Sequence, residues 1–275
     1  MSPLSDLLSA FPLVIWLVLV TAGVMIGLLS GLLGIGGGVI AVPVLIEVFA
    51  TVGLPLDRAV AMAVGTAQTS ILLASLTAVS AHWKAGTIDG GLVRAWLPAL
   101  LVGTAAGLAV GAVVPAAALT TTFAVAALSL ALKLGVGDRL VLAPALPRGP
   151  AGQVPPVLVG ALAASVGVGG GTLSTPVLSL FSFPVRRAIG AGALFNLVIA
   201  LPATCFFLVH DQGLEGRTPD AVGDVSVTCL LALSLPALMI APLAAGWSAR
   251  VPAVLLRRLF ALCLAVVAAR LLLRN

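Results

Sequence analysis

The chain has 275 residues, of which 61% are hydrophobic and only 8% charged. A water-exposed surface normally needs about a quarter of residues charged, so lipid must be the solvent over most of this chain. The net charge of +5 comes from basic residues scattered singly or in pairs. That excludes a nucleic-acid footprint and reads as loop charge that sets orientation in a membrane.

No Lys or Arg precedes Arg58, so the basic start of a cleavable signal segment is missing and none is expected. The first apolar region, roughly Phe11–Ala50, is broken by the cluster Gly34-Ile35-Gly36-Gly37-Gly38. Membrane spans, which need about 20 apolar residues, are predicted at Ala59–Ser80, Leu92–Ala112 and Ala116–Leu134. Gly135–Pro156 is rich in Pro and Gly and carries Asp138, Arg139 and Arg148, so it reads as the main linker. A second broken region, Val154–Ser182, contains Gly167-Val168-Gly169-Gly170-Gly171, and further spans are predicted at Arg187–Val209, Val225–Gly246 and Pro252–Leu273.

The two glycine clusters are an internal repeat. The offset that superposes them also matches Gly27 to Gly160, Pro43 to Pro176 and Leu45 to Leu178. Nearby offsets match Arg58-Ala59 to Arg187-Ala188, Leu97-Pro98-Ala99-Leu100 to Leu235-Pro236-Ala237-Leu238, and Pro115, Leu119 and Phe123 to Pro252, Leu256 and Phe260. Chance similarity among apolar helices would not keep glycines and prolines in one order. The expected fold is therefore all-α and polytopic: a first transmembrane repeat over 1–134, a cytoplasmic linker over 135–153 and a second repeat over 154–275.

If each glycine cluster is the turn of a hairpin, each repeat has five segments, and the odd number inverts the second repeat relative to the first. Basic residues then divide ten against four between the two sides, compared with eight against six if each broken region crosses once. The hairpin arrangement satisfies the positive-inside rule better. It puts both termini outside the cytoplasm, in a multi-pass protein of the inner membrane. As a helix, the leading arm Val154–Gly167 would be about 21 Å long, short of a hydrocarbon core of about 30 Å. Its glycine turn is therefore expected inside the membrane, with Gly34–Gly38 approaching from the opposite side. The leading arm of the first hairpin, by contrast, extends back to Phe11 and is long enough to span fully.

Irregular backbone at that depth is tolerated only where protein or a water-filled cavity surrounds it. A short helix begins after each cluster, and its first N–H groups with the positive dipole end suit an anion. The other reading of the glycines is close helix packing. Proline five residues after the last glycine of each cluster (Pro43, Pro176) makes the pattern a true duplicate. Gln68 and Asn196, costly in lipid, either line the path or tie helices together. Thr66, Thr69 and Ser70 are able to bond back to their own helix. The candidate substrate-binding set is Gly36, Gly37, Gly38, Thr66, Gln68, Thr69, Gly169, Gly170, Gly171, Thr172 and Asn196.

No acid lies at the centre of a long span, so no deep carboxylate proton relay is expected. His82 and His210, at matching segment ends, read as interfacial residues or as proton sensors. Arg186 and Arg187 anchor a span or attract anions. Cys205, Cys229 and Cys263 lie in apolar runs without metal-ligand or disulfide spacing and read as small buried side chains; Cys205 is the candidate if a thiol handles sulfur chemistry. There is no Gly-x-Ser-x-Gly, no pair of deep acids and no His–Glu metal motif, so no catalytic residue, metal or cofactor is expected.

The duplicated glycine clusters with their prolines, Gly65-Thr66 and the Asn196 stretch resemble the TauE/SafE family of sulfite and organosulfonate exporters, also called the toluene-sulfonate uptake permease group. The resemblance covers nearly the whole chain. It departs at Gly65-Thr66-Ala67-Gln68, where Gly-Thr-Ser is frequent in the family. It implies a secondary transporter, an exporter of sulfite, a sulfonate or thiosulfate, working by alternating access around a midplane pocket. The residues themselves reach only as far as a small anion. The alternative is an ion channel or a cation-coupled carrier of a different small solute. The expected partners are the small anionic substrate and the lipid bilayer, with no nucleic acid; assembly as a homodimer is left open.

Overall fold

The computed structural model describes residues 12–33, 36–136, 141–147, 149–210 and 218–247, with six single positions between 255 and 269. Gly34 and Ile35 of the first cluster, and most of the last expected span, Pro252–Leu273, lie outside the described residues. The elements are α1 (Leu13–Leu33), α2 (Gly38–Thr51), α3 (Leu56–Lys84), α4 (Gly90–Gly111), α5 (Ala116–Val136), a 3-10 turn (Gly149–Gln153), α6 (Val154–Val166), α7 (Gly170–Ser179), α8 (Val185–Val209), β1 (Ala221–Val222), β2 (Val225–Ser226) and α9 (Val227–Trp247). The protein is an all-α polytopic membrane protein. Among the described residues, five helices are long and apolar enough to cross a bilayer: Leu13–Gly31, Leu56–Lys84, Gly90–Gly111, Val185–Val209 and Val227–Ala244.

Local chemistry sets the helix ends. Pro55 and Pro184 precede α3 and α8, where a fixed φ and a missing N–H cost nothing. Asp89 caps α4 by accepting the Leu92 N–H at 3.0 Å. Helices α3 and α8 begin two or three residues before the expected spans, Ala59–Ser80 and Arg187–Val209, and carry Arg58 and Arg187 in their first turns, each beside an acid. The small hairpin β1–β2 was not expected from the apolar pattern. Gly223 turns it at φ 60°, and Asp220 closes it by accepting the Ser226 hydroxyl at 2.8 Å and the Thr228 N–H at 2.7 Å.

The side chains are distributed as a lipid solvent requires. Leu13, Val102, Val113, Leu132 and Met239 are more than 60% exposed, whereas Thr66, Gln68, Thr172 and Ser174 are wholly buried. Polar groups point inward because nothing in hydrocarbon would satisfy them.

The packing pairs are α1 with α9, α4 with α6, α3 with α8, α2 with α3 and α7 with α8. Exchanging α1–α4 for α6–α9 maps this set of pairs onto itself. Two seams rely on glycines spaced one helical turn apart. Gly23, Gly27 and Gly31 of α1 lie against the backbone of Leu233, Ala237 and Ala241 of α9. Gly103, Gly107 and Gly111 of α4 lie against Val157, Ala161 and Ser165 of α6. Both pairs run parallel, and the backbones touch because no Cβ intervenes. In contrast, the start of α3 meets the end of α8 (Gly65 beside Phe207), and the start of α8 meets the turn after α3 (Gly190 beside Thr87), so α3 and α8 run antiparallel.

A Cβ at Gly107 would collide with the Ala161 backbone, whereas one at Gly90 meets nothing within 4 Å. Gly107→Val should therefore destabilise the protein by about 1–3 kcal/mol or more, with Gly90→Ala near neutral. Thermal unfolding in detergent, followed by size-exclusion chromatography, checks this. Equal melting temperatures would contradict the seam.

Candidate functional site

The site is built where the two glycine turns meet. Helix α6 ends at Gly167, held at φ 75°, a left-handed conformation that glycine adopts without strain. The chain then passes through Val168 and Gly169 into α7. On the other side Gly36 and Gly37 lead into α2. A side chain at Gly38 would collide with the carbonyl of Gly167, and one at Gly167 would meet Val42 and Val64. The two turns thus touch backbone to backbone. Their depth is fixed by Ile71, near the middle of α3, which adjoins Gly38, and by Asn196, near the middle of α8, which adjoins Gly36 and Gly169.

Asn196 is the hub. Its Oδ1 accepts the Gly171 N–H at 2.7 Å, so a carboxamide oxygen sits at the amino end of α7, where an anion oxygen would be favoured. The Thr172 hydroxyl donates to the Gly36 carbonyl at 3.1 Å, joining one turn to the other. Gln68 is wholly buried; its Nε2 donates to the Ala163 carbonyl at 2.8 Å, and its Oε1 has no hydrogen-bond partner. The structure therefore brings together Gly36, Gly38, Gly169, Gly171, Thr172 and Asn196. Gly170 packs on Phe195 and Ile199, Gly37 on Ile26, and Gln68 lies one layer away against α6.

Thr66 and Thr69 are placed differently. The Thr66 hydroxyl accepts the Ser226 N–H at 3.0 Å, which ties α3 to the β-hairpin, and Thr69 donates to the Gly65 carbonyl of its own helix at 2.9 Å. Ser70 meets Ser234 of α9 at 2.8 Å. Two hydroxyls that sequence reasoning missed are Ser174 and Thr175. Their oxygens are buried without a partner, and they lie on the Gly192 stretch of α8, one turn before Asn196. Their positions, three and four residues after Gly171 on one helix face, were the available signal.

The turns are closed on each other. The space beside Gly37, Gly38, Ala67, Ser70 and Ser234 is about 10 Å³, room for about one water. Larger cavities approach from both ends. One of about 320 Å³ runs from Asp57 and His210 down to Val64 and Ala164, next to Gly167. Another of about 390 Å³ lies between Asp89, Gln153 and Phe183 and reaches Trp96. Trp96 stacks on Phe195 at 5.6 Å between ring centroids, and Phe195 is the neighbour of Asn196.

The remaining candidates sit at the helix ends. His82 Nδ1 lies 2.9 Å from the Thr87 hydroxyl, and His210 stacks on Phe206 at 4.7 Å. Arg187 pairs with Asp89 at 3.4 Å. Cys229 is buried as expected. Cys205 is not: it is exposed, because the helical period puts it on the same face of α8 as Leu201 and Leu208, which are also exposed. Cys263 lies outside the described residues. Among the described residues no group of His, Cys, Asp and Glu is arranged to hold a metal ion.

A Cβ at Gly36 would first meet the amide tip of Asn196, at 3.1 Å, whereas at Gly38 it would first meet fixed backbone. Gly38→Ala should therefore cost about 1–3 kcal/mol, and Gly36→Ala less than half as much. Melting temperatures of the two variants check this; equal losses would mean that the turns do not meet as described.

The profile of the family described as "Sulfite exporter TauE/SafE" matches residues 19–271. A "Probable membrane transporter protein" of Haemophilus influenzae is 26% identical over 256 residues, covering 92% of this chain and 96% of that protein. A protein with the same description from Methanocaldococcus jannaschii is 25% identical over 233 residues, covering 79% and 80% respectively. No solved structure matches the chain.

Proposed function

We propose, from the premise that the chain belongs to the sulfite exporter TauE/SafE family, that this membrane transporter exports a small sulfur-containing anion (sulfite, a sulfonate or thiosulfate). The observation that carries the reading is the Asn196 carboxamide oxygen held at 2.7 Å by the Gly171 N–H. That position, at the amino end of a buried helix between two glycine turns, is where an oxyanion gains most from backbone donors and the helix dipole.

In this reading the substrate oxygen takes the place of Asn196 Oδ1, and the side chain turns to present its Nδ2 donors. Gln68 presents its second Nε2 hydrogen, and the Thr172 hydroxyl lets go of Gly36 as the turns part. Neutral donors suit a carrier, since a bound anion must also leave. The structure then represents the closed form, with cavities of about 320 and 390 Å³ as the two vestibules. The antiparallel run of α3 and α8, with the exchange symmetry of the packing pairs, supports two inverted repeats over 1–134 and 154–275 that rock around the turns. The basic residues favour placing the 135–153 linker in the cytoplasm and both termini outside, in the inner membrane.

The test uses purified protein in proteoliposomes. Counterflow of labelled sulfite, thiosulfate and short sulfonates is compared with that of chloride, phosphate and acetate. Sulfur anions should be exchanged selectively. The double variant Gln68→Ala/Asn196→Ala should lose at least about 90% of that exchange while still inserting and eluting as the parent does, as expected when donors worth about 1.5–3 kcal/mol each are removed from a charged ligand. Unaltered exchange by the double variant would remove both residues from the mechanism.

A further inference from the structure

Helix α6 ends differently from its neighbours. The residues that follow α2, α3, α4, α7 and α8 each send an N–H back to a carbonyl of the last turn. After α6 the chain turns left-handed at Gly167. Among the described residues no backbone N–H from beyond the helix returns to the carbonyls of Ala163, Ala164, Ser165 or Val166. The Ala163 carbonyl instead accepts Gln68 Nε2 at 2.8 Å. Carbonyls left open in this way give a helix its negative end. This end lies deep in the bundle, beside the turn that touches Gly38.

Two more buried oxygens without partners stand at the same level. With Nε2 committed to Ala163, Gln68 keeps an Oε1 that is buried and unbonded. Thr204 is 4% exposed, and its hydroxyl has no partner either. The hydroxyls of Thr69, Thr104 and Thr121 bond back to their own helices, the ordinary outcome in an apolar helix. Helices α3 and α8 are antiparallel and bring Gly65 against Phe207. One turn further along each therefore sets Gln68 level with Thr204, on the same two faces. The cavity of about 320 Å³ ends here. It is lined by Ala164 and Ser165 of the last α6 turn, by Val64 one turn before Gln68 and by Phe207 one turn beyond Thr204. Among the described residues that line it, Asp57, at the mouth, is the one side chain with a fixed charge, and that charge is negative.

We infer that the carboxyl end of α6 is a sodium site. Gln68 Oε1, the Thr204 hydroxyl oxygen and carbonyl oxygens of the last α6 turn replace part of the ion's water shell, and the cavity supplies the rest. Every group offered is an oxygen lone pair, the ligand that hard cations take. The carboxyl end of a broken membrane helix suits a cation as the amino end suits an anion. A monovalent ion among neutral oxygens needs no carboxylate beside it, and the Asp57 carboxylate raises the concentration of cations at the mouth. The turn Gly167–Gly169 separates this site from the amino end of α7. The inference goes beyond the sulfur-anion reading and does not rest on it.

The experiment measures sodium binding with no sulfur anion present. Melting temperatures of the full-length protein in detergent are recorded against sodium chloride, with choline chloride holding the ionic strength constant. Sodium should raise the melting temperature until the site saturates. Thr204→Val, which replaces the hydroxyl by a methyl of similar size, should raise the half-saturating sodium concentration about tenfold or more, as expected when one polar partner is taken from a charged ligand. Thr204→Ser, which keeps the oxygen, should retain the parental value. If Thr204→Val does not elute as the parent does, Thr204→Ala takes its place. A parent protein indifferent to sodium overturns the inference whatever the variants do, and leaves water as the occupant. An unchanged half-saturation in a folded variant without the hydroxyl overturns it as well. Stabilisation by sodium that is weakened with the hydroxyl, in protein that exchanges no sulfur anion, upholds the site and removes the sulfur-anion reading. Exchange by protein that sodium does not stabilise removes the site and leaves that reading.

Discussion

The contact on which the rest of the structure depends is the meeting of Gly38 with the carbonyl of Gly167. Two chain turns that carry no side chains at the point of approach bring irregular backbone to the middle of a helical bundle. In hydrocarbon such backbone is costly unless protein satisfies it. The satisfying groups are specific: the Asn196 carboxamide for the Gly171 N–H, and the Thr172 hydroxyl for the Gly36 carbonyl. Helices α3 and α8 are the frame that holds these groups at depth. The glycine seams of α1 on α9 and α4 on α6 then clamp the hairpins to that frame.

The arrangement leaves little free space where the turns meet. Space beside the turns admits about one water, so on the proposed reading a substrate enters as the turns separate. On that reading, binding energy is coupled to movement of the two halves, which is the coupling an alternating-access carrier uses. The unpartnered Gln68 Oε1 and the Ser174 and Thr175 hydroxyls mark polar capacity that the closed form leaves unfilled.

Much of this was legible in the sequence. Low charge and long apolar runs gave the membrane class. The doubled glycine cluster with Pro43 and Pro176 located both turns, and the 14-residue arm Val154–Gly167 indicated that they stop at mid-depth. Asn196 stood out because an amide in an apolar span needs a partner. What stayed hidden depends on the neighbour across the interface. Nothing along α3 distinguishes Thr66, which serves the Ser226 N–H, from Gln68, which faces α6. Cys205 looked buried because its run is apolar throughout, and only the neighbours of α8 decide which face meets lipid. The regular spacing of Gly23, Gly27 and Gly31 was visible, but its partner α9 lies some 200 residues further along the chain. The Arg58–Asp224 pair had one visible half, the Arg58-Ala59 repeat of Arg187-Ala188. Its acid came from a turn that hydropathy treats as the edge of a span.

The central claim is that the amino end of α7, between the two glycine turns, is where the anion binds. The most direct measurement is a structure of the protein with selenite, the selenium analogue of sulfite, located by its anomalous scattering. The account predicts a selenium site between the turns, its oxygens within hydrogen-bond distance (about 3 Å) of the Gly171 N–H, and the Asn196 carboxamide moved away from that N–H. A selenium site elsewhere, with Gly38 still against Gly167 and Asn196 still bonded to Gly171, would contradict it.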